Sequence, residues 1–328
     1  MARTRNTVLI RVPASTSNLG SGFDTLGLAV NLYTQVRVTM ACKAGAKIVS
    51  PIAPEDRADA EGMVAEVSRE FFARAGISPF GVEVSMHGNV PMARGLGFSA
   101  TARLGMVAAL NELSGAAWDR QQLLELVTFL EGHPDNASPA IFGGFTVSGM
   151  VAEARSVERG SRQAVRCMRF AVNPELSLIT LIPRFKVNTE KARRLVPENF
   201  SRDDAVHGLN RAALITAAFA AEDYDSLRGL FDDRIHQPYR EPLIPQLSRV
   251  IRAGEAAGAI GGFLSGSGSA IICLSLRAPQ AVTEAMRKEL PDSETEILAP
   301  DNHGFQIESV DSIVPERGTL EISNSMES

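Results

Sequence analysis

The stretch VPMARGLGFSATARLG, residues 90–105, constrains the fold more than any other part of this sequence. Gly95 and Gly97 permit backbone angles that turn successive N–H groups towards one centre, and the small residues after them predict a helix over residues 99–113. The free N–H groups and the positive dipole end of such a helix suit a polyphosphate. The Walker pattern GxxxxGK[ST] is absent, so a plain tight turn into a packed helix is the alternative.

Hydrophobic periodicity predicts a mixture of strands and amphipathic helices. In the first half, strand patterns cover residues 7–12, 32–40, 82–88 and 143–152. Helix patterns cover residues 59–75 and 119–131 there, and residues 201–221, 223–234, 246–257 and 279–290 further on. Apparent hairpins interrupt the alternation, which favours an α+β fold over a doubly wound sheet.

Length and composition indicate two domains. The chain has 328 residues, and 45% of them are hydrophobic, which is ample for two cores. A polar, charged stretch at residues 153–163 marks the predicted boundary. We therefore predict an N-terminal domain at 1–160, a C-terminal domain at 161–308 that starts with strands near 164–170 and 176–182, and a frayed polar tail at 309–328.

Charge and cysteine content exclude several classes of function. The net charge is −5 and there is no basic run, which argues against binding to nucleic acid or to an anionic membrane. The three cysteines are far apart and form no CxxC pair, so neither a disulfide framework nor a zinc site is expected. No apolar run approaches the ~18 residues of a membrane helix. We predict a cytoplasmic protein with no nucleic-acid or membrane partner.

The stretch EGHPDNASPAIFGG, residues 131–144, places several polar groups directly after a predicted helix. Either Glu131 or Glu125 could hold a divalent metal, and Asp135 and Asn136 could face a substrate. The alternative is a capped helix end that is followed by a turn, in which His133 is structural.

Three further stretches carry candidate binding residues. In the polar loop PASTSNLGSGFDTLG, residues 13–27, Asn18 and Asp24 are distinctive, and Asp24 could bind an ammonium group; a loop that satisfies its own polar groups is the alternative. The loop LSGSGSA, residues 264–270, either closes over phosphates or is a hairpin turn. Arg193 and Arg240 suit a bidentate grip on a carboxylate, although an exposed arginine is commonly only solvated.

The order of these stretches resembles that of the GHMP kinases. The matching patterns are P-A-S/T-x-x-N-L-G-x-G-F-D, P-x-x-x-G-L-G-x-S, E-G-H-P-D-N, H-Q-P-Y-R-x-P-L-I-P and a late S-G-x-G, spread over residues 7–300. Within the family, the first, third and fourth patterns are similar to the members that phosphorylate homoserine. The resemblance implies an N-terminal domain like ribosomal protein S5 domain 2, a ferredoxin-like C-terminal domain, and the site between them. It also implies ATP-dependent, Mg²⁺-dependent phosphorylation of the L-homoserine hydroxyl in threonine synthesis, and a homodimer.

The resemblance also implies roles for individual residues. Ser99 and a glutamate would hold Mg²⁺; by spacing from His133, Glu125 fits that position and Glu131 is the rival. Arg94 would neutralise developing charge, and Asp135 is a candidate general base, although no firm base is assigned. The residues expected to bind the amino acid are Asn18, Asp24, His133, Asn136, Arg193 and Arg240. The residues expected along ATP are Pro91, Met92, Ala93, Arg94, Gly95, Leu96, Gly97, Phe98, Ser99, Ala100 and Thr101, with Ser265, Gly266 and Gly268 of the late loop.

Phe98 departs from the G-L-G-S-S pattern of the family, since it replaces the first serine. Its backbone N–H survives the replacement, but one hydroxyl donor is lost. If the ring points away from the loop, the phosphate cradle stays intact; if it points inward, ATP is excluded. Ser269 and Ala270 also stand where the family tends to have Pro and Ser. The favoured interpretation is an active enzyme with a variant loop. The alternatives are a kinase with another substrate and a non-catalytic amino-acid-binding homologue.

Overall fold

The computed structural model describes residues 5–152 and 163–312, which form two sheets with helices packed against them. The first sheet is formed by β1 (Arg5–Ser17), β2 (Leu26–Ala41), β3 (Ala46–Ile48), β4 (Gly81–Gly88), β5 (Phe145–Ala152), β6 (Gln163–Phe170) and β11 (Gln306–Ser312). The second sheet is formed by β7 (Ser177–Ile182), β8 (Gly261–Leu264), β9 (Ile271–Ser275) and β10 (Glu294–Leu298). The strand order is β11-β1-β2-β4-β3 in the first sheet, with β5 on β2 and β6 on β5, and β10-β7-β9-β8 in the second.

Four helices belong to the first half of the chain: α1 (Pro54–Ala75), α2 (Phe98–Ser114), α3 (Arg120–Glu131) and α4 (Ala137–Phe142). Asp119 and Gln122 form the reciprocal capping box that starts α3. In α2 a run of buried residues faces β1 and β2, and a Cβ at Gly105 would lie only 2.5 Å from Val36. The small side chains therefore let α2 pack closely on the sheet, which places its N-terminus, and the glycine loop before it, at one end of the core.

The second half contains α5 (Thr189–Arg194), α6 (Arg202–Ala220), α7 (Gln237–Arg240), α8 (Leu247–Ala256) and α9 (Pro279–Glu289), with 3-10 turns at Tyr224–Leu227 and Glu241–Leu243. Helices α8 and α9 pack on the second sheet around a core that includes Leu181, Val250 and Met286. A further core joins the two halves: Leu28 and Phe145 of the first sheet pack with Phe219 and Phe263. In the described ranges every helix is too short or too polar to cross a bilayer.

Several sequence-based expectations are wrong in detail. The predicted loop at 13–27 is shorter, because Ser15, Thr16 and Ser17 pair with β2 as buried strand residues. The predicted helix at 223–234 is only a short 3-10 turn, since Arg228 has a ψ of 126° and Gly229 a φ of +73°, neither of which is helical.

The predicted tail at 309–328 starts too early. Strand β11 continues to Ser312 and pairs with β1, while the rest of that range lies outside the described residues. The predicted boundary after residue 160 also lies outside them, and it stays a prediction. Strand β6, which was expected to open the second half, pairs with β5 in the first sheet.

Candidate active site

A cavity of about 820 Å³ brings together most of the predicted site residues. Its volume is that of a small-molecule binding site. The wall includes the glycine loop before α2, the polar loop after β1, residues 131–136, the segment around Arg193 and the late loop between β8 and β9. The polar groups that the sequence analysis found in separate motifs thus share one cavity.

The glycine loop is held in its curved form by residues of the late loop. Gly95 and Gly97 have φ values of +78° and +71°. A Cβ at Gly95 would lie 2.1 Å from the Ser265 carbonyl, so only glycine fits there. The Ser265 hydroxyl donates to the Gly95 carbonyl at 2.6 Å, and the Ala270 N–H donates to the Arg94 carbonyl at 2.9 Å. The late loop is therefore a hairpin connection that braces the glycine loop.

Only some residues of the predicted ATP-binding stretch line the cavity. Those that do are Met92, Ala93, Arg94, Gly95, Gly97, Phe98 and Ser99, together with Gly266. Those outside the wall are Pro91, Leu96, Ala100, Thr101, Ser265 and Gly268, of which Leu96, Ala100, Thr101 and Ser265 are fully buried. The buried side chains of this second set pack beneath the glycine loop and do not face the cavity.

Phe98 is the first residue of α2. Its side chain is half-buried and packs against the core that joins the two halves, and the residue also lines the cavity. The packing on the core agrees with the geometry in which the ring points away from the loop. The loss of the serine hydroxyl is accompanied by apolar contacts that a serine would not make.

Ser99, Arg103 and Glu131 form a hydroxyl–carboxylate cluster beside the glycine loop. The Ser99 hydroxyl donates to Glu131 at 2.7 Å, and Nη1 of Arg103 donates both to Ser99 at 2.8 Å and to Glu131. Glu125, the other predicted metal ligand, is not in the cavity wall and accepts a hydrogen bond from Gln121. The two glutamates are six positions apart, which corresponds to about one and two-thirds helical turns, so they point to different sides of α3.

His133 and Asp135 form a hydrogen-bonded pair in the cavity wall, with Nδ1 of His133 donating to the carboxylate. Burial opposes the charge on both groups, but their mutual hydrogen bond and attraction outweigh it. The pKa of His133 is therefore raised and the pKa of Asp135 lowered. Ligating atoms of Asp24, His133 and Asp135 lie within 4.8 Å of one another, yet Asp24 is already paired with an arginine and the other two with each other.

Asp24, Arg193 and Arg240 form an arginine cluster around the ring of Phe23. Both Asp24 oxygens accept hydrogen bonds from Arg193 at 2.8 Å. The guanidinium carbons of Arg193 and Arg240 lie 5.4 and 5.1 Å from the centre of the Phe23 ring. Burial, with a smaller contribution from the charge of Arg193, lowers the pKa of Arg240 to about 10, so its charge persists at neutral pH.

Two asparagines connect the loops around these clusters. Asn18 has a φ of +72°; its amide donates to the Gly266 carbonyl at 3.0 Å, and its side-chain oxygen accepts from the Asp24 N–H at 3.0 Å. Asn136 lines the cavity, and its buried Nδ2 has no hydrogen-bond partner. A buried amide nitrogen without a partner is costly, and a ligand oxygen would satisfy it.

Arg94 is placed differently from the sequence-based expectation. Its Nε donates to the Pro183 carbonyl at 2.9 Å, and its Nη2 donates to the Arg184 carbonyl. Burial lowers its pKa. Arg94 lines the cavity, but its guanidinium donates to carbonyls of the segment before α5. Arg94 therefore connects that segment to the glycine loop.

The sequence analysis missed Phe23, Arg103 and His236. Arg103 follows Ser99 by four residues on a predicted helix, so helical spacing was a usable signal for it. His236 stands four residues before Arg240 in a stretch that was already singled out. Nothing in the sequence indicated that two arginines lie over Phe23.

Comparisons with known proteins agree with this architecture. Residues 62–144 match the GHMP kinases N terminal domain, and residues 215–292 match the GHMP kinases C terminal family. The chain belongs to the GHMP kinase family, which confirms the predicted α+β two-domain fold.

Two relatives and one solved structure within that family carry the name homoserine kinase. Homoserine kinase of Moorella thermoacetica is 37% identical over 300 residues, which are 90% of this chain and 98% of that protein. Homoserine kinase of Deinococcus radiodurans is 38% identical, over 80% of this chain and 83% of that protein. The crystal structure of homoserine kinase from Cytophaga hutchinsonii superposes with a TM-score of 0.78 at 26% identity, covering 94% of this chain and 99% of that one. A mevalonate kinase structure, at 15% identity and a TM-score of 0.62, shares the fold.

Proposed function

We propose that this chain transfers the γ-phosphoryl group of ATP to the side-chain hydroxyl of L-homoserine, as its relatives' name indicates, in the pathway to threonine. The observation that carries the proposal is the composition of the cavity. A glycine loop at a helix N-terminus, which suits a polyphosphate, shares it with an acid and two arginines, which suit an amino-acid zwitterion.

The arginine cluster fits the two charges of the amino acid. Asp24 would bind the α-ammonium group, and Arg193 and Arg240 the α-carboxylate. Asp24 and Arg193 are paired with each other in this structure, so a zwitterion replaces each partner with a group of the same charge. Substrates that lack either charge would leave one of these groups unpaired, which is costly in a half-buried site.

The glycine loop and α2 would bind ATP. Backbone N–H groups at residues 95–99 would contact the phosphates, with the helix dipole adding favourable charge. Ser99 and Glu131 supply hard oxygen ligands of the kind that Mg²⁺ takes alongside phosphate oxygens. The guanidinium of Arg103 donates to both oxygens, which supports the proposal that this cluster attracts positive charge. Mg²⁺, when bound with ATP, would neutralise charge on the transferred group.

The chain's own residues would act mainly by positioning. The homoserine oxygen attacks the γ-phosphorus, the bond to the ADP oxygen breaks, and the hydroxyl proton passes to water. Asp135 is ionised and oriented by His133, but its lowered pKa makes it a weak base. We therefore assign Asp135 the role of holding the cationic His133 near the reacting groups. Positioning and charge stabilisation account for most of phosphoryl transfer.

The test is ADP release by purified protein with Mg²⁺ and ATP, with and without L-homoserine, and with L-serine, L-threonine and mevalonate as controls. The proposal expects release that depends on homoserine. Release with another substrate would indicate a different GHMP kinase, and ATP binding without any turnover would indicate a non-catalytic homologue. The cytoplasmic location and the homodimer stay predictions.

A further inference from the structure

His236 lies behind the arginine cluster, outside the cavity wall, and is fully buried. Its Nε2 donates to the Gly20 carbonyl at 2.8 Å, and its Nδ1 accepts from Nη1 of Arg240 at 3.2 Å. A carbonyl only accepts and a guanidinium only donates, so these partners select the neutral tautomer with its proton on Nε2. Both ring nitrogens are therefore engaged, each with a different part of the site.

The surroundings keep this imidazole neutral. Burial lowers the pKa of His236 to about 4; the charge of Asp233 opposes this effect, and the charge of Arg240 adds to it. The Asp233 carboxylate lies near Nε2 but already accepts the backbone N–H groups of His236 and Gln237. A proton on Nδ1 would face the Arg240 guanidinium, and Nη1 of Arg240 would then keep only the Gly266 carbonyl as its acceptor.

The contacts of His236 reach the side chains expected to bind the amino acid. Gly20 lies in the loop between Asn18 and Asp24. The ring of Phe23 stacks on the imidazole, with centroids 5.3 Å apart, and the guanidinium groups of both arginines lie over Phe23. One buried ring is thus connected to the loop that carries Asp24 and to both arginines.

We propose that His236 is a positioning residue for the amino-acid substrate: it aligns Arg240 and fixes the loop of Asn18 and Asp24 without touching the substrate itself. This inference rests on the proposed function. It assigns His236 a large effect on the affinity for homoserine and little on the binding of ATP, because its side chain bonds Gly20 and Arg240 and stacks on Phe23, none of which belongs to the glycine loop.

Two conservative variants separate the two hydrogen bonds. His236→Asn keeps an acceptor near the position of Nδ1 but does not reach Gly20. His236→Gln keeps a donor near the position of Nε2 but removes the imidazole acceptor of Arg240, which leaves the Gly266 and Ala192 carbonyls as its acceptors. His207→Gln is the matched control, because His207 bonds the Asp232 carbonyl and lies outside the cavity wall.

Steady-state kinetics with L-homoserine and with L-homoserinamide, which lacks the carboxylate charge, give the readout. Both His236 variants should raise the KM for homoserine by about tenfold to a hundredfold, while the KM for ATP changes by less than about twofold. His236→Gln should also lose the preference for homoserine over its amide, because Arg240 is misaligned. His236→Asn should raise the KM values for homoserine and for its amide by the same factor. The control should match the wild type.

Equal increases in the KM values for ATP and homoserine, or unchanged values in a folded variant, would overturn the inference. If neither variant folds by circular dichroism, Phe23→Leu takes their place, with the same expected split between the two substrates. A wild type that binds homoserine by calorimetry but releases no ADP would refute the proposed function, and the Kd of the variants for homoserine would then decide the inference. A wild type that does not bind homoserine refutes both.

Discussion

The glycine loop and the arginine cluster are two parts of one cavity wall that are built in different ways. The glycine loop is one continuous stretch that offers backbone groups, and its curvature depends on Gly95 and Gly97. The arginine cluster is made of side chains from the loop after β1, from α5 and from α7. The glycine loop should tolerate changes of side chain as long as its backbone keeps its shape. The arginine cluster should lose binding when any of its side chains is changed.

The late loop connects the two parts. The Ser265 hydroxyl holds the Gly95 carbonyl of the glycine loop. The neighbouring Gly266 carbonyl accepts hydrogen bonds from Asn18 and Arg240, both at 3.0 Å. A displacement of this hairpin would therefore reach both parts at once, so variants that are meant to separate them should avoid it.

Glu131→Gln should have the largest effect. It removes the carboxylate charge that is proposed to hold Mg²⁺ together with Ser99, and we expect kcat to fall by about a hundredfold or more, because the stabilisation lost is on the order of several kcal/mol. The KM for homoserine should stay near the wild-type value. Steady-state kinetics across a range of Mg²⁺ concentrations are the measurement.

Glu125→Gln is the matched control for that experiment. Glu125 lies outside the cavity wall and bonds to Gln121, so its loss should change kcat by less than about twofold. A larger loss of kcat in Glu125→Gln than in Glu131→Gln would reverse the assignment of the metal ligand.

Asp24→Asn should have the next largest effect, and only on the amino acid. It removes a charge expected to bind the substrate ammonium group, so the KM for homoserine should rise by about tenfold to a hundredfold. The KM for ATP should change by less than about twofold. Asp225→Asn, an exposed position that pairs with Arg228 outside the cavity, is the control. A comparable rise in the KM for ATP would show that the two parts of the wall are not separable.

The helices that could be predicted from the sequence are those that depend on residues close together along the chain. The helix pattern at 119–131 and the small residues after the glycine loop predicted α3 and α2, because neighbours along the chain determine both helices; the capping box of Asp119 and Gln122 is one such local interaction. The short loop after β1 was misjudged, because Ser15, Thr16 and Ser17 look like loop residues and are strand residues only through pairing with β2. Residues 223–234 were also misjudged, because the helical turn ends at Leu227 and Gly229 then adopts a φ of +73°.

In the candidate site, too, the features that depend on tertiary contacts could not be predicted from the sequence. Resemblance to a family located Asp24, Arg193 and Arg240, and the structure brings them together. The choice between Glu125 and Glu131 depends on how α3 is rotated beside α2, which no local pattern encodes. His236 has no distinctive pattern either, since its importance comes from a carbonyl and a guanidinium that only the tertiary fold places beside it.

The pair of His133 and Asp135 predicts a pH-dependent contribution to stability. Because the pKa of His133 is raised in the folded protein, the contribution is fully present below about pH 6.5, the ordinary value, and is lost as pH rises through the raised value. The difference in unfolding free energy between wild type and His133→Gln should thus be about 1 kcal/mol larger at pH 6 than at pH 9, the difference between a charged and a neutral hydrogen bond. Urea unfolding at both pH values measures it, and a difference that grows towards pH 9 would contradict it.

Phe98→Ser should have the smallest effect on activity and tests the tolerance of the glycine loop directly. The backbone N–H stays, the hydroxyl returns, and kcat/KM for ATP should equal or exceed the wild-type value. Because the half-buried ring packs on the core that joins the two halves, the unfolding free energy should fall by about 1–2 kcal/mol, less than for a fully buried phenylalanine.

Gly97→Ala is the contrasting variant: at a φ of +71° its Cβ would lie 2.5 Å from the Ser15 hydroxyl, so the backbone must shift and ATP binding should weaken. A folded Phe98→Ser protein that loses activity, beside an active Gly97→Ala protein, would mean that the side chain rather than the backbone of this loop binds the nucleotide.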